Sequence, residues 1–191
     1  MKTSMKHPFN TYFEGMNPDL WYPIFKSHGT QRVYRKGECF CCEGAPAFYL
    51  GFIEAGYFKR VVRDFKGREQ IIGFSFQNEF VGDYLSAVEN EPARCEIIAV
   101  TQAKVMLCEG RVVQEVLANH PEAQREFSSR IIRQTHDRLI DLYKKSPKER
   151  YLDILKSCPE ILQQVTLKEL ASYLQITPTY LSRIRTAMLT E

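Results

Sequence analysis

The sequence predicts an α+β chain: a run of short strands, then a long amphipathic helix, then a compact all-helical end. Three observations carry this. From Gln31 to Leu107 the apolar residues fall in short β-rich segments of period two, with turn residues between them. From about Val112 to Lys145 the period lengthens, and Ala123, Phe127, Ile131, Thr135, Leu139 and Leu142 step by four or three among charged residues. Thr166 to Leu189 reads as two short helices, with only Gln175 and Ile176 between Leu174 and the start of the second.

Taken in order, Asn17, Pro18 and Asp19 give a helix start. Leu20, Trp21, Ile24 and Phe25 supply its apolar face, and His28 and Gly29 stop it. The strand segments are Val33, Cys39 to Cys42, Phe48 to Ile53, Gly56 to Val62, Gln70 to Phe76 and Cys95 to Leu107. Turn residues at Lys36-Gly37-Glu38, Glu43-Gly44-Ala45-Pro46, Glu54-Ala55-Gly56, Lys66-Gly67-Arg68 and Asn78-Glu79 separate them. Strands this short at near-regular spacing predict a small barrel or jelly roll.

The long helix, some 25 residues, makes a rod of about 38 Å. Such a rod is too long to be covered by a small domain, so its seam (Phe127, Ile131, Thr135, Leu139, Leu142) calls for a partner, most simply the same helix of a second chain. The alternative is an amphipathic helix lying on its own barrel. Ser146-Pro147 breaks the rod and marks a hinge, and a further helix from Arg150 to Ser157 buries Tyr151, Leu152, Ile154 and Leu155 before Cys158-Pro159 ends it.

At the end of the chain, Thr166 with Glu169 is a capping-box start, and Thr177-Pro178 is an N-cap with proline at the first helical position. Leu167, Leu170, Ala171 and Leu174 line one helix; Ile176, Leu181, Ile184 and Met188 line the other. A corner this tight, with small Ala171 where the second helix crosses, is a helix-turn-helix. Gln175 occupies the turn position where positive φ is needed, at a cost of about 1 kcal/mol relative to glycine.

The chain has 191 residues, room for one large or two small domains, and a net charge of +3, with a pI near 8.5. That balance permits nucleic-acid binding without demanding it. No run approaches the roughly 18 apolar residues of a membrane span. Met1 to Asn10 lacks the apolar core of a signal peptide, so a cytoplasmic location without membrane contact is expected, with the six cysteines as reduced thiols. His7, His28, His120 and His136 are scattered, and no Ser-His-Asp, H-E-x-x-H or Gly-rich phosphate motif occurs, so the chain is not expected to be an enzyme.

The terminal helix pair resembles the DNA-binding unit of bacterial regulators. The strand region resembles the β-roll sensor of the Crp/Fnr family through Tyr34-Arg35-Lys36-Gly37-Glu38, Phe48-Tyr49-Leu50, Glu54-Ala55-Gly56, Lys66-Gly67-Arg68-Glu69 and Glu79-Phe80-Val81-Gly82-Asp83. The resemblance implies an N-terminal double-stranded β-helix (a jelly-roll-like β-roll) over residues 1–115, a long dimerisation helix and hinge over 116–146, and a helix-turn-helix domain over 147–191. It implies a homodimeric transcription regulator whose two recognition helices sit one DNA turn apart, about 34 Å, on a near-palindromic site. RNA polymerase and a small-molecule effector are the further partners implied.

With residues 177–189 as recognition helix, Thr177, Pro178, Thr179, Tyr180, Ser182, Arg183 and Thr186 face the duplex. Arg183 is placed for a bidentate contact to guanine, and Arg185 and Lys168 suit phosphates. The plainer alternative makes these the solvated faces of a helical bundle. The family's specificity residues, an Arg and a Glu at the helix start and a later Arg, correspond by position to Pro178, Thr179 and Arg183, so a different operator is expected. From the short segment before Thr166 and the stop at Glu191, the family's β-wing is expected to be missing or minimal.

In cyclic-nucleotide-binding members a Gly and a Glu open the phosphate loop and an Arg and a Ser close it. Here Gly82 and Arg94 match, whereas Asp83 and Cys95 replace the other two. Asp83 is one methylene shorter, and Cys95 is a weaker donor than a hydroxyl. Thr135 and His136 fall where binders contact the base. A degenerate or different pocket is expected, with no cofactor and with a cyclic nucleotide as the less favoured effector. Arg94 then serves as a surface charge or an ion pair with Asp83.

Cys39, Cys41 and Cys42 raise the iron–sulfur chemistry of some relatives. In a regular strand, 39 and 41 face one side and 42 the other, a poor arrangement for one metal, so small apolar filling is expected, with thiol redox sensing as the alternative. The rival to a DNA-binding regulator is therefore a cyclic-nucleotide or small-ligand binding module, or a redox sensor, whose helical tail serves protein contacts.

Overall fold

The computed structural model describes residues 9–13 and 18–190. The reading of Met1 to Pro8, the Asn17 cap and His7 lie outside them. A 3-10 turn, Thr11–Phe13, precedes helix α1, Pro18–His28. Eight strands follow: β1 Thr30–Tyr34, β2 Cys39–Cys41, β3 Tyr49–Ala55, β4 Phe58–Arg63, β5 Glu69–Ser75, β6 Phe80–Val81, β7 Glu96–Ala99 and β8 Ala103–Glu109, with α2, Tyr84–Glu89, between β6 and β7. They form two four-stranded antiparallel sheets, β1-β8-β3-β6 and β2-β7-β4-β5. This is the jelly-roll architecture expected. Alternation places Ile53, Phe58, Ile97 and Val105 between the sheets with no exposure.

Two boundaries differ from the sequence reading. The segment from Cys95 to Leu107 is two strands, because residues 100–102 turn without a Gly, Pro, Asn or Asp to announce it. Phe80 and Val81, read as part of a turn motif, pair with Phe52 and Gly51 as β6, too short for period two to register.

The single long helix is likewise two. Helix α3, Gly110–Asn119, stops at His120, and α4, Pro121–Lys144, restarts with proline in its first turn. Pro121 has no N–H to continue the ladder, and a first-turn position is where that absence costs least. The 24 residues of α4 span about 36 Å.

Its seam also divides. Phe127 is 8 % exposed and lies in its own chain's core, with ring centroids 5.2 Å from Trp21, 5.8 Å from Tyr84 and 6.3 Å from Tyr12 and Phe80. Ile131 packs against the same cluster. Of the expected dimer seam, Phe127 is thus buried within its own chain and Ile131 is partly buried against the same cluster. Thr135, Leu139 and Leu142 are exposed, as are Ile132 and Tyr143.

Helix α5, Pro147–Ser157, starts earlier than expected, at a Ser146–Glu149 capping box. A short α6, Ile161–Gln164, follows, which four residues of sequence did not signal. Then come α7, Leu167–Tyr173, and α8, Pro178–Thr190. Arg150 ties these parts together: one guanidinium nitrogen donates to the Lys145 carbonyl at 3.0 Å, the other to the Leu174 carbonyl at 2.8 Å.

The helical end packs on the roll. Ser172 Oγ accepts the Ile71 N–H at 3.0 Å, so α7 covers the exposed edge of β5. Phe9 wedges between the two bodies, edge-on to Phe74, Phe76 and Tyr173. Next to it, buried Asn10 donates to the Phe74 carbonyl and to Glu79, and accepts from Gln134 and Arg138 of α4.

Candidate nucleic-acid interface and effector pocket

The corner between α7 and α8 follows from its residues. Thr166 and Glu169 form both bonds of the capping box, fixing where α7 begins. At its end, Ile176 N–H reaches the Ala171 carbonyl and Gln175 N–H the Ser172 carbonyl, both at 3.0 Å. That is a Schellman stop, and it requires the left-handed residue found at Gln175, φ 58°. Thr177 then caps α8, its Oγ1 accepting from Tyr180 N–H at 3.1 Å, with Pro178 in the first helical position.

The consequence is a clean partition of side chains. Leu170, Ala171, Leu174, Leu181 and Ile184 are buried at 5 % exposure or less, and Ala171 shows none. Thr177, Pro178, Thr179, Tyr180, Ser182, Arg183, Arg185 and Thr186 are all exposed, as is Lys168 on α7. Within this set Thr177 and Thr186 also serve the helix, Thr186 Oγ1 donating to the Ser182 carbonyl. The exposed face thus carries three cations, a tyrosine and several hydroxyls, donors suited to phosphates and base edges.

The second site is a cavity of about 430 Å³ between the roll and α4. Its walls are largely apolar and aromatic, including Trp21, Phe80, Phe127 and Leu139, with Arg60, Gln134 and Arg138 among its polar groups. Of the sequence-predicted effector residues, Gly82 and Thr135 line it; Asp83, Arg94, Cys95 and His136 do not. Gly82 sits at φ 140°, where a Cβ would come within 2.8 Å of Leu50, and its carbonyl accepts from Arg60 at 3.1 Å.

The other predicted residues are engaged elsewhere. Asp83 caps α2, accepting from Ser86 N–H at 3.3 Å and from the Arg94 backbone N–H at 3.0 Å. The Arg94 guanidinium turns outward, with its side chain 68 % exposed, and pairs with Glu91 at 2.8 Å. The expected ion pair with Asp83 is therefore a backbone hydrogen bond, and the salt bridge goes to Glu91. Cys95 is buried in the roll core, where burial raises its thiol pKa. His136 is on the exposed side of α4.

Sequence reasoning missed Arg60, Gln134 and Arg138. Strand β4 carries a bulge between Arg60 and Val61, so the alternation that would have aimed Arg60 shifts register there. Arg138 is held by the Phe9 carbonyl and ring, contacts between residues far apart in the chain. Among the described residues, no group of three or more His, Cys, Asp or Glu is arranged to hold a metal, and no helix is long and apolar enough to cross a membrane.

Comparison with known proteins agrees with this geometry. Residues 31–120 match the family model of the cyclic nucleotide-binding domain. No curated protein sequence matches the chain. Among solved structures, FixK2 from Bradyrhizobium japonicum is similar at 20% identity and TM-score 0.73, covering 85% of each chain. The c-di-GMP responsive global regulator CLP of Xanthomonas campestris is similar at 20% identity and TM-score 0.66, over 91% of this chain and 92% of that one. The Thermus thermophilus catabolite activator protein is similar at 17% identity and TM-score 0.58, over 94% and 86%.

Residues 31–120 are thus similar to the cyclic nucleotide-binding domain. Over most of its length the chain shares its fold with these three structures, with a β-roll, a long helix and a C-terminal helical pair.

Proposed function

We propose that the protein is a cytoplasmic DNA-binding transcription regulator of the Crp/Fnr type, active as a homodimer and reading DNA through α8. The carrying observation is the partition of the helix-turn-helix: its apolar stripe is spent on its own core, and Thr177, Thr179, Tyr180, Ser182 and Thr186 are left facing outward with Arg183 and Arg185. Residues 1–115 serve as sensor, 116–146 as dimer helix and hinge, and 147–191 as reader. In the sensor, an effector entering the cavity beside α4 meets an apolar wall with Arg60, Gln134 and Arg138 as its polar contacts. A cyclic nucleotide is the less favoured effector, because Arg94 is paired with Glu91 outside the cavity.

Selection of bound fragments from random DNA, followed by titration of the selected site, tests the reading. Binding should weaken steeply with salt, as phosphate neutralisation requires. Arg183→Ala should cost about 1–3 kcal/mol on the selected site and relax discrimination at one base pair. An equal loss on selected and random DNA would contradict the role given to Arg183.

Dimerisation is assigned to the exposed stripe Ile132, Leu139, Leu142 and Tyr143, of which Ile132 is 67 % and Tyr143 87 % exposed. Their spacing is that of a helix–helix seam. Leu139→Asp is expected to give a folded monomer by sedimentation, with unchanged far-UV circular dichroism. A dimer that survives this substitution would place the interface elsewhere.

A further inference from the structure

We propose that Cys39 and Cys42 are a dithiol site that closes reversibly to a disulfide when the protein meets a hydroperoxide. The proposal is independent of DNA binding and rests on the juxtaposition of the two sulfurs. Cys42 Sγ donates to Cys39 Sγ at 3.0 Å, and Cys39 Sγ donates in turn to the Cys41 carbonyl at 2.8 Å. A regular strand would put these two side chains on opposite faces. Strand β2 is not regular: its pairing with β7 shifts register between Cys39, opposite Ile98, and Cys41, opposite Ile97. The irregularity buries Cys41 in the roll core and brings its flanking cysteines together at the surface.

This corrects the reading of the three cysteines as small apolar filling. It holds for Cys41, whose thiol reaches toward the Cys95 carbonyl at 3.9 Å. It fails for Cys42, which is exposed, and for Cys39, which is half-buried. A disulfide needs its sulfurs at about 2.05 Å, so closure asks for about 1 Å of movement in a turn open to solvent on one side.

The chemistry divides between the two sulfurs by access. Exposed Cys42 reacts first, since attack requires a thiolate that the oxidant can reach. Burial, and then the hydrogen bond with Cys42, push the Cys39 thiol up to about 12, so it stays protonated until its neighbour has reacted. The Cys42 thiolate attacks one peroxide oxygen; an S–O bond forms, the O–O bond breaks, and the leaving oxygen departs as water or alcohol after taking a proton. Cys39 then gives up its proton and attacks the sulfenic sulfur; the S–S bond forms and the S–O bond breaks, releasing water. Two thiols lose two electrons, the peroxide gains them, and a dithiol reductant reverses the reaction.

The site adjoins the segment between α2 and β7. The Cys42 carbonyl accepts Ala45 N–H at 3.1 Å, Gly44 N–H donates to the Ala93 carbonyl at 2.7 Å, and Ala93 N–H donates to the Ala45 carbonyl at 3.0 Å. A closed bridge therefore pins the turn that clamps the segment between α2 and β7.

The test uses the full chain treated with hydrogen peroxide, quenched by alkylation under denaturing conditions, and read by intact mass and peptide mapping. The wild type should lose two of its six alkylatable thiols, with the bridge mapping to Cys39 and Cys42, and dithiothreitol should restore both. Cys41→Ser should still form the bridge. Cys42→Ser should keep all its remaining thiols, and Cys39→Ser should stop at a Cys42 sulfenic acid that dimedone captures. Six thiols surviving excess peroxide, a Cys41–Cys42 bridge, or a bridge between two chains would each overturn the assignment.

Discussion

Truncating Phe127 to alanine is expected to cost the folded chain about 3–5 kcal/mol, the range for removing a buried aromatic and leaving a cavity. The ring sits where α4 meets the roll, among Trp21, Tyr84, Tyr12 and Phe80, all within its own chain. Removing it opens space against groups from α1, the strap at Tyr12 and the end of β6, which cannot all close together. Urea unfolding monitored by Trp21 fluorescence measures the cost. Because the contacts are intramolecular, the loss should be the same across a range of protein concentrations. A loss that grows on dilution would return Phe127 to a dimer seam and undo the division of α4 into an inward stripe and an outward one.

The second large effect is a pH dependence centred on Glu79, which has no solvent exposure. One of its oxygens accepts from Phe76 N–H and from Asn10, while Oε1 finds no partner among the described residues. Burial pushes the carboxyl up to about 7, against the downward pull of those hydrogen bonds and of the Arg138 charge. A carboxyl whose folded pKa exceeds its unfolded value binds protons more tightly in the folded state. Its contribution is therefore full below about pH 4.3, the unfolded value, and is lost as pH rises through 7. Integrated over that interval the loss is about 4 kcal/mol.

Glu79→Gln keeps an acceptor for Phe76 and Asn10 and removes the charge. The variant should lack this fall in stability between pH 5 and 8 and should exceed the wild type at pH 8. Urea midpoints of both proteins at the two pH values measure the difference. Parallel pH profiles would place the titration elsewhere. The group matters because Asn10 links Glu79 to Gln134 and Arg138 on α4, at the joint between roll and long helix.

Much of the architecture was legible before any coordinates. Thr166 with Glu169, Thr177 with Pro178, and the apolar stripes beside them specify the helix-turn-helix, because caps and 3.6-residue periodicity act within a turn or two of chain. The strands with strong turn signals at Gly37, Gly44 and Gly67 were equally plain. Where the turn residues were ordinary, as at 100–102, the boundary was lost. The candidate effector residues were legible only in part: Gly82 and Thr135 line the cavity, whereas Arg94 and Asp83 are occupied by Glu91 and by the α2 cap. Salt-bridge choice on a surface is set by which partner lies within reach in space, and sequence order does not record that.

The sequence by itself determined the element types, the corner between α7 and α8 and the face it leaves to solvent, since each depends on residues a few positions apart. Only the tertiary structure decided which stripe of α4 is used up inside the chain, which arginines reach the cavity, and that Cys39 meets Cys42. The physical reason is common to all three. An irregularity in β2 or β4 turns side chains by its position in the sheet, and the covering of α4 is settled by α1 and the Phe9 strap, whose contacts close over more than a hundred residues of chain.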